Sequence, residues 1–170
     1  IQRSKTFVWK EIEFEDLQTV TEDDKRLYVT PTGEKYPSVT TVLGSLDKTW
    51  LYEWRARVGV EEATRIATRA AARGTRMHTI CEKYIRNEDN FWEKAGPLSK
   101  EMFVSIQKYV DAIEEVYGNE VALFSHQLKT AGRIDVFCKM GGNPVILDFK
   151  TASKRKTESQ IQNYFLQTTA

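Results

Sequence analysis

Cysteine is scarce. The 170-residue chain has two, Cys81 and Cys138, too few for a disulfide framework or a four-thiolate metal cluster, so a reducing, intracellular setting is expected and both thiols read as packing residues. No apolar run approaches the roughly 20 residues that cross a bilayer, and the amino terminus lacks the basic-then-apolar pattern of a secretory leader. Charge excess is missing too: 25 Lys and Arg against 24 Asp and Glu leave a net charge of +1, which argues against a protein that coats polyanions by bulk attraction. There is no internal repeat, low-complexity tract or domain linker. The length suits one domain, 1–170, with residues 1–36 as a β extension at its amino end.

What charge there is lies unevenly. Glu11, Glu13, Glu15, Asp16, Glu22, Asp23 and Asp24 make an acidic amino-terminal stretch, while Arg55, Arg57, Arg65, Arg69, Arg73 and Arg76 make the next part basic. Such a split is compatible with one face for a polyanion and another for solvent.

Hydrophobic periodicity predicts a strand over residues 5–14 and a hairpin over 27–39 around Pro31-Thr32-Gly33, with Tyr36 and Val39 inward. Ser38 is read as a helix cap. Short helices over 39–46 and 50–58 break near Gly44 and Gly59, an alanine-rich helix covers 61–73, and another runs from Gly74-Thr75 to about Arg86. Ser99 is expected to cap a long amphipathic helix whose apolar stripe extends to Tyr117, ended by Gly118-Asn119, with a strand over 121–128 carrying His126. Strands over 131–140 and 144–152 flank Gly141-Gly142-Asn143, and a helix returns from residue 157 or 158. The predicted class is α+β or mixed α/β, with helices against a central sheet and a small amino-terminal β unit.

The last hairpin carries the chemistry. Pairing Met140 with Asn143 sets Asp135 opposite Asp148, and directly opposed residues have Cβ atoms roughly 4.5 to 5.5 Å apart. Lys150 shares a face with Asp148. Two carboxylates so close repel unless a cation lies between them, and oxygen-rich sites of this kind suit Mg²⁺ or Mn²⁺. The plainer alternative is that each aspartate pairs with a neighbouring cation, Arg133 or Lys150. His78 and Glu82 are four apart on a predicted helix, with Gly74 one turn earlier, where a glycine lets another backbone or a substrate approach; Gln160 and Tyr164 repeat the spacing on the last helix.

In this order, Gly74, His78 and Glu82, then Gly132 and Asp135, Asp148 and Lys150, and Gln160 and Tyr164, the chain resembles the RecB-like branch of the PD-(D/E)XK nuclease superfamily. Pro37-Ser38-Val39-Thr40 with Val42-Leu43, the Trp50 to Trp54 segment and Arg73-Gly74-Thr75 are similar to phage exonucleases related to the mitochondrial genome maintenance exonuclease. The resemblance spans residues 36–164, leaving the acidic stretch uncovered. It implies a restriction-endonuclease-like core in which Asp135, Asp148, His78 and the Phe149 carbonyl hold Mg²⁺ or Mn²⁺, imidazole tilting the choice toward Mn²⁺. Lys150 would orient the attacking water, Glu82 would support His78 or reach a second ion, and Gln160 and Tyr164 would contact the substrate or active site. The iron–sulfur relatives use four cysteines, so that cluster is excluded.

The same resemblance implies a metal-dependent deoxyribonuclease acting at single-stranded DNA ends and leaving a 5′-phosphate and a 3′-hydroxyl. A structure-specific endonuclease and a non-catalytic nucleic-acid-binding module of the same fold remain alternatives. A phage protein would work in bacterial cytoplasm, a mitochondrial relative in the matrix. In that branch more sheet follows the last helix, so part of the core is expected beyond Ala170. Arg65, Arg69, Arg73 and Arg76 recur at helical spacing and are candidate phosphate contacts, against which stands ordinary pairing with Glu61 or Glu62. Trp50, Tyr52 and Trp54 are candidate base-stacking residues, at least one tryptophan being expected in the core because alternate helical positions face different ways; Trp54 is the one carried forward.

Overall fold

The computed structural model describes residues 3–23, 25–45 and 48–169, without the side chains of residues 159, 160, 163 and 169. Strands β1 (Val8–Trp9), β2 (Gln18–Glu22), β3 (Lys25–Val29) and β4 (Lys35–Pro37) come first, followed by helices α1 (Val39–Leu43), α2 (Thr49–Val58), α3 (Val60–Ile85) and α4 (Pro97–Val110). Strands β5 (Glu115–Ser125), β6 (Thr130–Met140) and β7 (Asn143–Leu147) follow, and helix α5 (Glu158–Thr169) is last. The fold is α+β. A mixed sheet of order β1-β5-β6-β7 is flanked by helices, and β2-β3-β4 form a separate antiparallel sheet. No helix among the described residues is long and apolar enough to cross a membrane.

The chain divides into two compact units. The first comprises Ile1–Glu13, Arg69–Val121 and Ile134–Ser153, the second Phe14–Thr68, Ala122–Arg133 and Lys154–Ala170. In the first, Met77, Ile80, Cys81, Tyr84 and Ile85 recur along α3 at the spacing that puts them on one face, and they bury against Phe7, Phe91, Phe103, Val110, Ile113, Val116, Val136 and Cys138. Tyr84 is the hub: its ring lies 4.9 Å from both Phe91 and Phe103, and its hydroxyl donates to Asp111 Oδ1 at 2.6 Å. Both cysteines are fully buried, as expected, and burial pushes the Cys81 thiol up to about 12 and that of Cys138 to about 11.

In the second unit Leu17, Tyr28, Tyr36, Ala122 and Ala131 make a smaller core. Tyr36 is inward as predicted, and its hydroxyl meets His126 Nδ1 at 2.8 Å. The Ser38 side chain accepts from Thr41 N at 3.0 Å, capping α1. Gly44 and Gly59 end α1 and α2 as the sequence predicts.

Several boundaries depart from the periodic reading. The strand over 5–14 shrinks to β1, yet Lys10 and Ile12 still donate to the carbonyls of Val116 and Tyr117, so parallel pairing along β5 outlasts the regular strand. The two helices proposed around Gly74 are one. A mid-helix glycine costs only about 1 kcal/mol against alanine, which the burial of Met77, Ile80, Cys81 and Tyr84 outweighs. Helix α4 starts on Pro97, where a missing N–H is harmless, so Ser99 lies inside it, and it stops at Val110 rather than Tyr117. Ile113 and Val116 continue the apolar pattern but do so on the way into β5, where sheet pairing competes better for β-branched residues. Gly118 and Asn119 therefore lie within a strand, and His126 falls just past its end.

Candidate metal centre

The β6–β7 hairpin forms in the expected register. Met140 pairs with Asn143 and the pairing continues to Val136 with Leu147 across a two-residue loop whose glycines have φ +57 and +79, the left-handed values that a tight hairpin turn demands. One step further would bring Asp148 opposite Asp135, but β7 ends at Leu147. The chain instead turns its next peptide onto the Asp135 side chain: Phe149 N donates to Asp135 Oδ2 at 2.5 Å.

Helix α3 supplies the other half of that clamp. His78 Nε2 donates to the Phe149 carbonyl at 2.6 Å and Nδ1 lies 3.1 Å from Asp135 Oδ1. Asp135 is 8% exposed, a charge rarely buried without partners. Both ring nitrogens thus face acceptors, and the hydrogen bond that His78 donates to Asp135, aided by the carboxylate's charge and by the Phe149 carbonyl, holds the His78 pKa above the ordinary imidazole value although burial opposes it.

A further carboxylate arrives from β5. Ligand atoms of His78, Glu120 and Asp135 all lie within 4.8 Å of one another, the one such trio among the described residues. Glu120 takes φ +57, a left-handed backbone that glycine or asparagine adopts readily and glutamate does not. Strain of this sort costs on the order of 1 to 3 kcal/mol and collects at functional positions. Its neighbour Asn119 anchors the strand, donating from Nδ2 to the Asp135 carbonyl at 2.7 Å and accepting from Arg86 Nε at 3.1 Å.

Arg86 in turn pairs with Glu82 at 3.3 Å, so Glu82 reaches Asp135 through Arg86 and Asn119 rather than by touching His78. Asp148 and Lys150 form their own pair, the ammonium 2.8 and 2.6 Å from the two carboxylate oxygens. Asp148 is outside the trio. At Gly74 an added Cβ would stand 3.8 Å from Thr151 Oγ1, ordinary contact, so nothing in the first unit's own packing requires glycine there.

No protein-family model matches the chain, and neither does any curated protein. The functional reading therefore rests on residues and geometry.

The donor set fits a hard divalent ion. One imidazole and two carboxylates are nitrogen and oxygen donors, and around an octahedral ion of the Mg²⁺ class such atoms lie roughly 3 to 4 Å apart, so the widest spacing in the trio needs to close by no more than about 2 Å. Arg65 is exposed and bound by both oxygens of Glu62, at 2.5 and 2.6 Å, the pairing weighed against a phosphate role. Arg69 and Arg76 are exposed; Arg73 is half-buried. On α2, Trp50 and Tyr52 are 66% and 64% exposed whereas Trp54 is half-buried, so Trp50 offers a freer ring than Trp54, the candidate expected from sequence. Tyr164 on α5 receives a hydrogen bond from Lys156, whose ammonium also lies 4.7 Å from the ring centroid. The Gln160 side chain is outside the described residues.

Sequence reasoning missed Asn119 and Glu120 because Gly118-Asn119 reads as a helix end and Glu120 falls between that end and the strand expected over 121–128. The signal was available: Asn-Glu after Gly118 inside a run of β-branched and aromatic residues is a place where a strand can change course.

Proposed function

We propose that the chain is a metal-dependent nuclease of the PD-(D/E)XK type, close to its RecB-like branch, hydrolysing DNA from single-stranded ends. The observation that carries this reading is the meeting of His78, Asp135 and Glu120 beside the peptide of Phe149, with Asp148 and Lys150 on either side of that peptide. His78, Asp135, Glu120 and the Phe149 carbonyl would hold Mg²⁺ or Mn²⁺, Asp148 joining them once Lys150 lets go of its carboxylate. When bound, such an ion lowers the pKa of a coordinated water and offsets phosphate charge.

The chain's own groups do the rest. Lys150, paired with Asp148, is an ammonium poised to be drawn to a phosphate oxygen, where it would stabilise the charge that develops during in-line attack. His78 and the Phe149 N–H both bond the Asp135 carboxylate and fix its orientation. Asn119 fixes the carbonyl behind it, so the carboxylate is presented from a backbone that cannot easily swing. Glu82 and Arg86 brace Asn119 and are positioning residues.

The test is degradation of a labelled single-stranded oligonucleotide with Mn²⁺ or Mg²⁺. Asp135→Ala, Asp148→Ala and Lys150→Ala should each abolish it while the fold persists, and undiminished cleavage by Asp148→Ala would rule the reading out. Closed circular single strands should stay intact; cutting them would favour an endonuclease. A second reading has its own support: both His78 nitrogens are satisfied by protein acceptors, as a purely structural clamp would have them. A module of that kind would bind DNA in a salt-sensitive way with no cleavage in either metal.

A further inference from the structure

A second concavity lies in the first unit, on α3 well round the helix from His78. Its volume is about 160 Å³, lined by Thr75, Arg76, Thr79, Ile80 and Lys83 from α3 and by the turn over residues 90–95. For scale, an engineered apolar cavity of about 150 Å³ takes up benzene. One ring system fits; a stack of bases does not.

The walls say more about the occupant. Ile80, Phe91 and Ala95 make an apolar floor, and Arg76, Lys83 and Lys94 bring three cations to it against the single carboxylate of Glu93, a surplus of positive charge. Lys83 leans toward Glu88 at 3.7 Å, but among the described residues no carboxylate pairs with Arg76 or Lys94. The Thr75 and Thr79 hydroxyls donate to the carbonyls of Ala71 and Thr75, so they present lone pairs to the cavity, while the Asn90 amide offers both a donor and an acceptor. The complement of such a lining is a flat, partly apolar ring that carries N–H donors and bears an anionic group. Benzoate has the anion and the ring but no N–H donor, and inorganic phosphate lacks the ring.

We infer that this pocket binds a nucleoside 5′-monophosphate with an amino-bearing base, the base on the Ile80–Phe91 floor facing Asn90 and the phosphate on Arg76 and Lys94. The inference does not rest on the nuclease reading, since none of the trio residues lines the pocket.

Titration of ¹⁵N-labelled protein with dAMP, in the absence of divalent metal, tests it. Saturable shifts should centre on Thr79, Asn90 and Lys94, and Asp135→Asn should leave them unchanged. The double variant Arg76→Ala, Lys94→Ala alters two exposed side chains, so its fold should survive, which far-ultraviolet circular dichroism checks; it should weaken dAMP at least about tenfold through loss of charge-assisted bonds. Deoxyadenosine alone and inorganic phosphate alone should each bind more weakly than dAMP. The inference is overturned by an absence of saturation at millimolar dAMP, by shifts centred on His78 and Asp135, by inorganic phosphate binding as well as dAMP, or by a folded double variant that binds as the parent does.

Discussion

The two compact units are built to different standards of packing, and the candidate chemistry sits with the better packed one. In the first unit thirteen residues form a continuous buried cluster, among them Tyr84, Phe103 and Ile113 with essentially no exposure. In the second, five residues form the core, and neither α1 nor α2 buries any of its side chains. Dense cores hold attached groups in one geometry, whereas elements with little buried surface open and shift at low cost. The contrast teaches that His78, Asp135 and Glu120 are presented by a scaffold able to keep a metal-sized spacing, while Trp50 and Tyr52 ride on a helix suited to adapting to whatever it meets.

Truncation should expose that difference most strongly. Phe103→Ala is expected to cost about 3 to 5 kcal/mol in chemical denaturation, and Leu17→Ala in the smaller core no more than about half of that; equal losses would erase the distinction. Next in size, Asn119→Ala removes the amide that bonds the Asp135 carbonyl. A loss of about 1 to 2 kcal/mol is expected, with nuclease turnover falling further than stability alone explains, because the carboxylate it braces would wander. Unchanged turnover in a folded Asn119→Ala protein would make that bond merely structural.

The third prediction concerns pH. The folded His78 pKa is raised, mainly by its bond to Asp135, so in metal-free protein its contribution to stability is fully present below the unfolded imidazole value of about 6.5 and is lost as pH rises through the folded value. The stability gap between the parent and His78→Gln should therefore narrow on going from acid to mildly alkaline buffer, and Mn²⁺ affinity should rise over the same range as the proton leaves. A gap that widens with pH would reverse the sign assigned here. Smallest of all, Trp50→Ala should change stability by less than about 0.5 kcal/mol. Cys81 and Cys138, held at about 12 and about 11 by burial, should stay unreactive to thiol reagents at mildly alkaline pH until the first unit unfolds; rapid labelling of native protein would show its core to be looser than described.

Local chemistry carried well from sequence to fold wherever one strong cue dominated. Gly141-Gly142 set the hairpin and its register as far as Leu147, and Ser38 capped α1. It carried poorly where two structures compete for the same residues. Residues 113–117 fit a helix face and a strand equally, and only pairing with β1, distant in sequence, decides between them. The same competition hid Asn119 and Glu120. The register that would set Asp148 opposite Asp135 forms only as far as Leu147: the strand expected to run to residue 152 stops there, where the Phe149 peptide finds Asp135 and His78, a preference no period of two or 3.6 can encode.

Electron paramagnetic resonance of Mn²⁺ added to the protein tests the central claim most directly. The account predicts one bound ion with a hyperfine coupling to imidazole nitrogen that disappears in His78→Gln, and binding that is lost in Asp135→Asn and weakened in Glu120→Gln. Mn²⁺ bound equally by all three variants, or bound with no nitrogen coupling, would contradict it.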